Sequence, residues 1–189
     1  MPLYRSFRPP LPVPAAGQYF FALSQSSTST SNTMGNGTLR LGPVIIESPL
    51  RIDRIGAELT VAGEAGSVLR LAVFADNGNA YPGSLILDAG TIDGTSATTQ
   101  VITISTLSLA PGLYWMGGAV QSAATTQPTV RTASNPTIPF GVPLGSSLPG
   151  AATAGMGFSQ ASVTGAIGAS FTATVTGTGT VPRMLLRAA

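Results

Sequence analysis

The stretch Pro111-Gly112-Leu113-Tyr114-Trp115-Met116-Gly117-Gly118-Ala119-Val120 decides the fold. It opens on an Ala-Pro-Gly turn signal and carries the only tryptophan of the chain. In an extended strand Leu113, Trp115 and Ala119 point one way, while Tyr114, Met116 and Val120 point the other. Both faces are apolar, as in a strand covered on both sides rather than one with a wet face. The stretch therefore reads as the central strand of a β-sandwich, with neighbours drawn from Arg51 to Ile104.

Around it, period-two order recurs. Ile55, Ala57, Leu59 and Val61 share one face of a half-buried strand whose other face carries Arg54, Gly56, Glu58 and Thr60. After a turn at Gly63–Gly66, Leu69, Leu71 and Val73 point inward, and the two runs read as an antiparallel hairpin. Further strand signals lie at Gly17–Leu23, Thr38–Ile46, Leu85–Leu87, Ile102–Ile104, Phe171–Thr176 and Met184–Leu186. Asn36-Gly37, Asp76-Asn77-Gly78-Asn79 and Tyr81-Pro82-Gly83 are turn chemistry. Ser24–Thr33 is polar and reads as loop or linker. Many short strands separated by Gly and Pro turns give an all-β, jelly-roll-like β-sandwich.

Composition agrees. Only 8% of the 189 residues are charged, against roughly 25% in ordinary soluble domains. There is no lysine, histidine or cysteine, so all nine cations are arginines. Every acid lies between Glu47 and Asp93, which makes an acidic middle between basic ends. That pattern either favours contacts between neighbouring copies or is a set of scattered solvated charges. Arginines do not cluster among aromatics in the sequence, which argues against nucleic acid. No apolar run suits a signal peptide or a membrane span, and the expectation is synthesis in a cytoplasm, where the protein stays soluble or which it leaves by a route other than secretion, without membrane insertion.

Residues 1–16 hold Pro2, Pro9, Pro10, Pro12 and Pro14, a density that forbids helix or central strand. The segment is either a disordered terminus or an extended arm; its large aromatics favour an arm docking on a partner through Tyr4, Phe7 and Arg8. At the other end, Thr132–Pro182 holds no charged residue, and its Gly141–Ser170 passage is rich in Gly, Ser, Ala and Pro. Such a run on a free monomer invites self-association, so part of it is expected under another subunit. The alternative is a loop excursion solvated through its hydroxyls. The expected division is an arm and linker over 1–33, a sandwich core over 34–131, and a Gly/Pro-rich segment with final strands over 132–189. That last part completes the sandwich or a subunit interface.

Catalytic chemistry has little to work with. Without His, Cys or Lys, the usual nucleophile constellations and imidazole or thiolate metal sites cannot be assembled from one chain. No phosphate-cradling Gly-Lys loop is present. Glu47, Glu58 and Glu64 have no spacing that singles out a carboxylate pair for glycoside hydrolysis, and read as surface charges. Asp76, Asn77 and Asn79 offer oxygens to calcium but lack the closing acid of an EF-hand; a tight turn explains them better. Together with Tyr81 they form an outward loop open to ligand contact, including a glycan stacked on the ring. Tyr114 falls in the core. No enzyme activity, cofactor or metal is expected.

Ile52-Asp53-Arg54-Ile55-Gly56-Ala57-Glu58, Leu69-Arg70-Leu71, Asp76-Asn77-Gly78, Tyr81-Pro82-Gly83 and Leu107–Trp115 together resemble a known set. They are similar to the jelly-roll module of virion proteins from tailed bacteriophages of actinobacteria, described as minor tail proteins. The likeness spans residues 34–130 and rests on turn and core patterns. It implies a structural virion component on the tail or its tip, contacting other virion proteins and assembling as a homo-oligomer, with a trimer favoured. A head fibre or decoration protein, or a receptor- or glycan-binding module of the tail, are the alternatives. The Gly-rich segment after Pro139 departs from that module.

Overall fold

The computed structural model describes residues 13–22, 28–134, 157–173, 177–178 and 180–189, and the expected docking residues Tyr4, Phe7 and Arg8 lie outside them. The described residues form no helix and two antiparallel sheets packed face to face, a β-sandwich. The strands are β1 (Tyr19–Ala22), β2 (Thr28–Asn32), β3 (Leu39–Ile46), β4 (Leu50–Val61), β5 (Val68–Asp76), β6 (Pro82–Asp93) and β7 (Thr99–Leu109). They continue with β8 (Gly112–Gln121), β9 (Thr129–Ser134), β10 (Gly157–Gln160), β11 (Gly177–Thr178), β12 (Thr180–Pro182) and β13 (Met184–Ala188). One sheet runs β1-β13-β4-β9-β12, with β7 also on β4 and β2 also on β9; the other runs β11-β10-β3-β8-β5-β6.

Strand β8 is central, as its two apolar faces require. Met116 and Val120 enter the core between the sheets, with Tyr114 packed against it. Trp115 and Ala119 enter a second core on the outer face of the six-stranded sheet, with Leu113 beside them. Its neighbours are β5, inside the expected range, and β3, outside it. Gly117 lets β3 come close: a Cβ there would lie 1.9 Å from the Arg40 carbonyl oxygen.

The hairpin expected between Ile55–Val61 and Val68–Phe74 does not form. Strand β4 pairs with β7, β13 and β9, and β5 with β6 and β8, so the two face each other from opposite sheets. Their alternation is right as far as Leu59, because each turns an apolar side toward the same core: Ile55, Ala57 and Leu59 from one, Leu69, Leu71 and Val73 from the other. Val61, expected on that face, follows a register shift after Leu59 and is 56% exposed. Periodicity reports which face is dry; it does not report the hydrogen-bonded partner. A register shift between Ile52 and Arg54 lets Ile52 and Ile55 both point inward despite their odd spacing.

Three other expectations change. Within Ser24–Thr33, Thr28–Asn32 is a strand on β9, held by backbone pairing and by a hydroxyl ladder in which Thr30 Oγ1 lies 3.0 Å from Thr132 Oγ1. β-Branched threonines stack well across strands, and their hydroxyls pair with one another, so polarity alone did not mark a loop. Strands β1 and β2 thus place part of residues 1–33 inside the sandwich. Phe171–Ala173 is not strand but part of a roof formed by residues 161–173, and Thr174–Thr176 of the expected strand lie outside the described residues. That roof covers the chain's own six-stranded sheet, while its outer side, from Ala161 and Ser162 through Thr164–Ala166 to Gly168–Ser170, stays exposed. Val163, Ile167 and Phe171 supply its apolar underside, in the same core as Phe158 of β10. Gln121 Nε2 donates to the carbonyls of Val163 and Gly165, both at 2.8 Å, and the Asp88 carboxylate accepts from the Ile167 N–H at 3.1 Å. Met184–Ala188 is a strand as expected, inserted between β1 and β4.

Candidate interaction face

The Asp76–Tyr81 loop turns back on itself. Asp76 Oδ2 accepts from the Gly78 N–H at 2.8 Å, Asn77 Oδ1 accepts from the Asn79 N–H at 2.9 Å, and Gly78 has φ +90°. Asn77 and Asn79 are exposed, as expected of an outward loop. Asp76 and Tyr81 are not available in the same way. Asp76 Oδ1 accepts from the Trp115 indole N–H at 2.9 Å, anchoring the central strand. Tyr81 packs edge-on against Phe158, ring centroids 4.5 Å apart, and against Phe171 at 5.6 Å; its hydroxyl donates to the Ala173 carbonyl. Burial pushes its phenol pKa up. The ring expected to face a ligand is a beam of the roof, because Pro82 and Gly83 swing it over the second core rather than out. Among the described residues no three carboxylates gather as a metal site.

The seven-stranded sheet presents a different surface. Its inner side chains fill the main core, and its outer face over β7, β4, β13 and β1 is built of three cross-strand rows. One row is Thr103, Arg54, Arg187 and Tyr19; the next is Val101, Gly56, Leu185 and Phe21; the third is Thr99 and Glu58, with Arg183 beside Glu58. The middle row is apolar and nearly flat. At Gly56 a Cβ would lie 2.1 Å from the Gln100 carbonyl oxygen, so no side chain rises from the centre. Phe21 is 54% exposed, Tyr19 45% and Val101 38%. Isolated exposed apolar groups are ordinary, but these sit on one face.

Charge rims the apolar row on both sides. Arg187 Nε donates to Asp53 Oδ1 at 2.8 Å; Arg131 Nη2 donates to Glu58 Oε1 at 2.9 Å, and Arg183 Nη2 lies 3.6 Å from Glu58 Oε2. The hydrogen bond from Arg131 holds the Glu58 carboxyl below its usual range, against a smaller opposing effect of burial. Arg187 does the same for Asp53. Both acids are therefore ionised at neutral pH and engaged with arginine, which suits recognition rather than proton transfer. The arginines also lie over the rings: Arg183 at 3.9 Å from the Phe21 centroid and Arg187 at 5.9 Å from that of Tyr19. The Arg183 Nε is buried with no hydrogen-bond partner among the described residues.

Arginines from the basic C-terminal part thus close on the acidic middle within one chain. The aromatic–arginine layer that was absent from the linear sequence is assembled by pairing Tyr19–Ala22 with Met184–Ala188, from opposite ends. The signal was present as alternation (Tyr19 and Phe21; Arg183, Leu185 and Arg187), but nothing local says that these two strands are neighbours. No family model matches the chain, and no curated protein matches it in sequence.

Proposed function

We propose that the chain is a structural protein of a bacteriophage particle, a tail component that works by contact rather than by turnover. The supporting observation is the outer face of the seven-stranded sheet, an apolar row flanked by charge, while the opposite sheet is roofed by its own chain. An apolar centre with a polar rim is the usual build of a protein interface. The turn and core motifs that resemble those of phage tail modules supply the setting. A glycan-binding role draws no support from Tyr81, whose ring is packed under the roof. Immunogold labelling of intact particles tests the reading: label on the tail is the expected result, label on the head moves the protein to a decoration or fibre role, and unlabelled particles overturn a virion role. Deleting residues 1–16 is expected to leave a folded sandwich that no longer joins the particle.

A further inference from the structure

The outer sheet face is unevenly charged. Arg51, Arg54, Arg131, Arg183 and Arg187 lie on it against only Asp53 and Glu58, a surplus of three positive charges. The described residues hold equal numbers of arginines and acids, seven of each, so the remainder of the described molecule carries the matching deficit. Part of that deficit is at one end of the sandwich. There the loops at 62–67 and 93–98 are stitched together by Gly63 N–H to Gly94 O and Gly94 N–H to Ser67 O, both 2.8 Å. Glu64 sits in the first of these and Asp93 ends β6 where the second begins, and neither meets an arginine among the described residues. Glu64 accepts from the backbone N–H groups of Thr125 and Thr126, and Asp93 from Thr95, so both carboxylates are held in place. The N–H and hydroxyl of Thr95 keep the Asp93 pKa low, and it remains charged near neutrality.

We propose that this end of one copy docks on the cationic, aromatic sheet face of the next, in a head-to-tail contact between copies of this chain. The proposal rests on reading the chain as a shared scaffold and names the surfaces that do the sharing. Two different patches meet, so the contact is heterologous; repeated, it closes a ring or runs on as a filament. A face-to-face contact would stack two surfaces of like surplus charge and is disfavoured. Four strands span about 15 Å, which makes the patch smaller than a standard stable interface, so the contact is weak and sensitive to salt.

Sedimentation velocity on the full chain tests this. At about 100 µM protein, association is expected in about 50 mM salt and at least tenfold weaker affinity in about 500 mM, as screening shortens the reach of the charges. Two variants separate the surfaces: Phe21→Ser with Arg54→Glu on the face, and Glu64→Gln with Asp93→Asn at the end, the latter keeping the capping oxygens. Each alone is expected to stay monomeric with an unchanged melting curve, while their equimolar mixture forms dimers and nothing larger, because one intact face and one intact end remain. If the face variant melts early, Arg54→Gln alone serves, losing its hydrogen bond to Thr103 and its charge near Asp53. A monomeric wild type at low salt, an end variant that associates like wild type, or association indifferent to salt would each overturn the proposal. Particle labelling reads the virion role separately: a labelled tail with a monomeric protein in solution sinks the head-to-tail contact and leaves the virion role standing.

Discussion

Asp88 shows how much structure one carboxylate can hold. It receives Arg70 Nε at 2.8 Å to Oδ1 and 2.9 Å to Oδ2, the Ile167 N–H from the roof, and the Gly90 N–H. Burial alone would raise its pKa, but Arg70 and the two backbone N–H groups outweigh it and the net shift is downward. A depressed folded-state pKa means stability present above the unfolded value, near 3.8, and lost as pH falls through the folded value. Thermal melts between pH 5 and pH 2 are therefore expected to show a drop in melting temperature that is smaller in the Asp88→Asn variant, the remainder coming from Asp53, Glu58 and Asp93. At neutral pH that variant should be destabilised by about 1–3 kcal/mol, the range for hydrogen bonds to a charged group. Gly117→Ala is expected to cost about 1–3 kcal/mol by forcing β3 and β8 apart, read from denaturant midpoints at unchanged slope.

At the scale of elements, the sequence was most informative where both faces of a strand carry a message. In β8 each side chain from Leu113 to Val120 points where alternation placed it. It was least informative about pairing, since β4 and β5 share a core but not a sheet. The Thr- and Ser-rich β2 was hidden because its hydroxyls pair with Thr132 and Ser134, a hundred residues away in the chain. The candidate face was hidden for the same reason: Phe21 and Leu185 become neighbours only once the two ends of the chain meet. The roof offers a direct test of element independence. Phe158 lies 4.9 Å from Trp115, ring to ring, and 4.5 Å from Tyr81. Phe158→Ala is expected to cost about 3–5 kcal/mol and to shift indole emission to longer wavelength as water reaches the second core. If the roof is a separate cooperative unit, the emission change will precede loss of the far-ultraviolet β signal on heating; coincident curves would make roof and sandwich one unit.

For the whole molecule, the ion pairs join distant parts of the chain: Arg187 to Asp53, Arg131 and Arg183 to Glu58. These groups are partly exposed, and such pairs fix register more than they stabilise. The larger contribution is apolar. Met184 and Leu186 of the last strand are fully buried in the main core, beside Ile52 and Ile55. Truncation after Pro182 is accordingly expected to abolish the cooperative melt rather than lower it by a few degrees, because it uncovers β4 along one edge and removes the partner of β1. Folding should also be slow, in milliseconds to seconds, since the contacts are dominated by distant segments.

The place of β13 has a consequence for biosynthesis. While the ribosome is still delivering the residues before Arg183, β4 has been made but lacks one lateral neighbour, and β1 has no strand to join. The nascent protein therefore carries an unzipped seam along a greasy layer until Met184–Ala188 has been made, in a polypeptide with few charges to keep such species apart. Premature termination or ribosome stalling before Arg183 would release material prone to clumping, so soluble yield should track synthesis of Met184–Ala188 more closely than expression level.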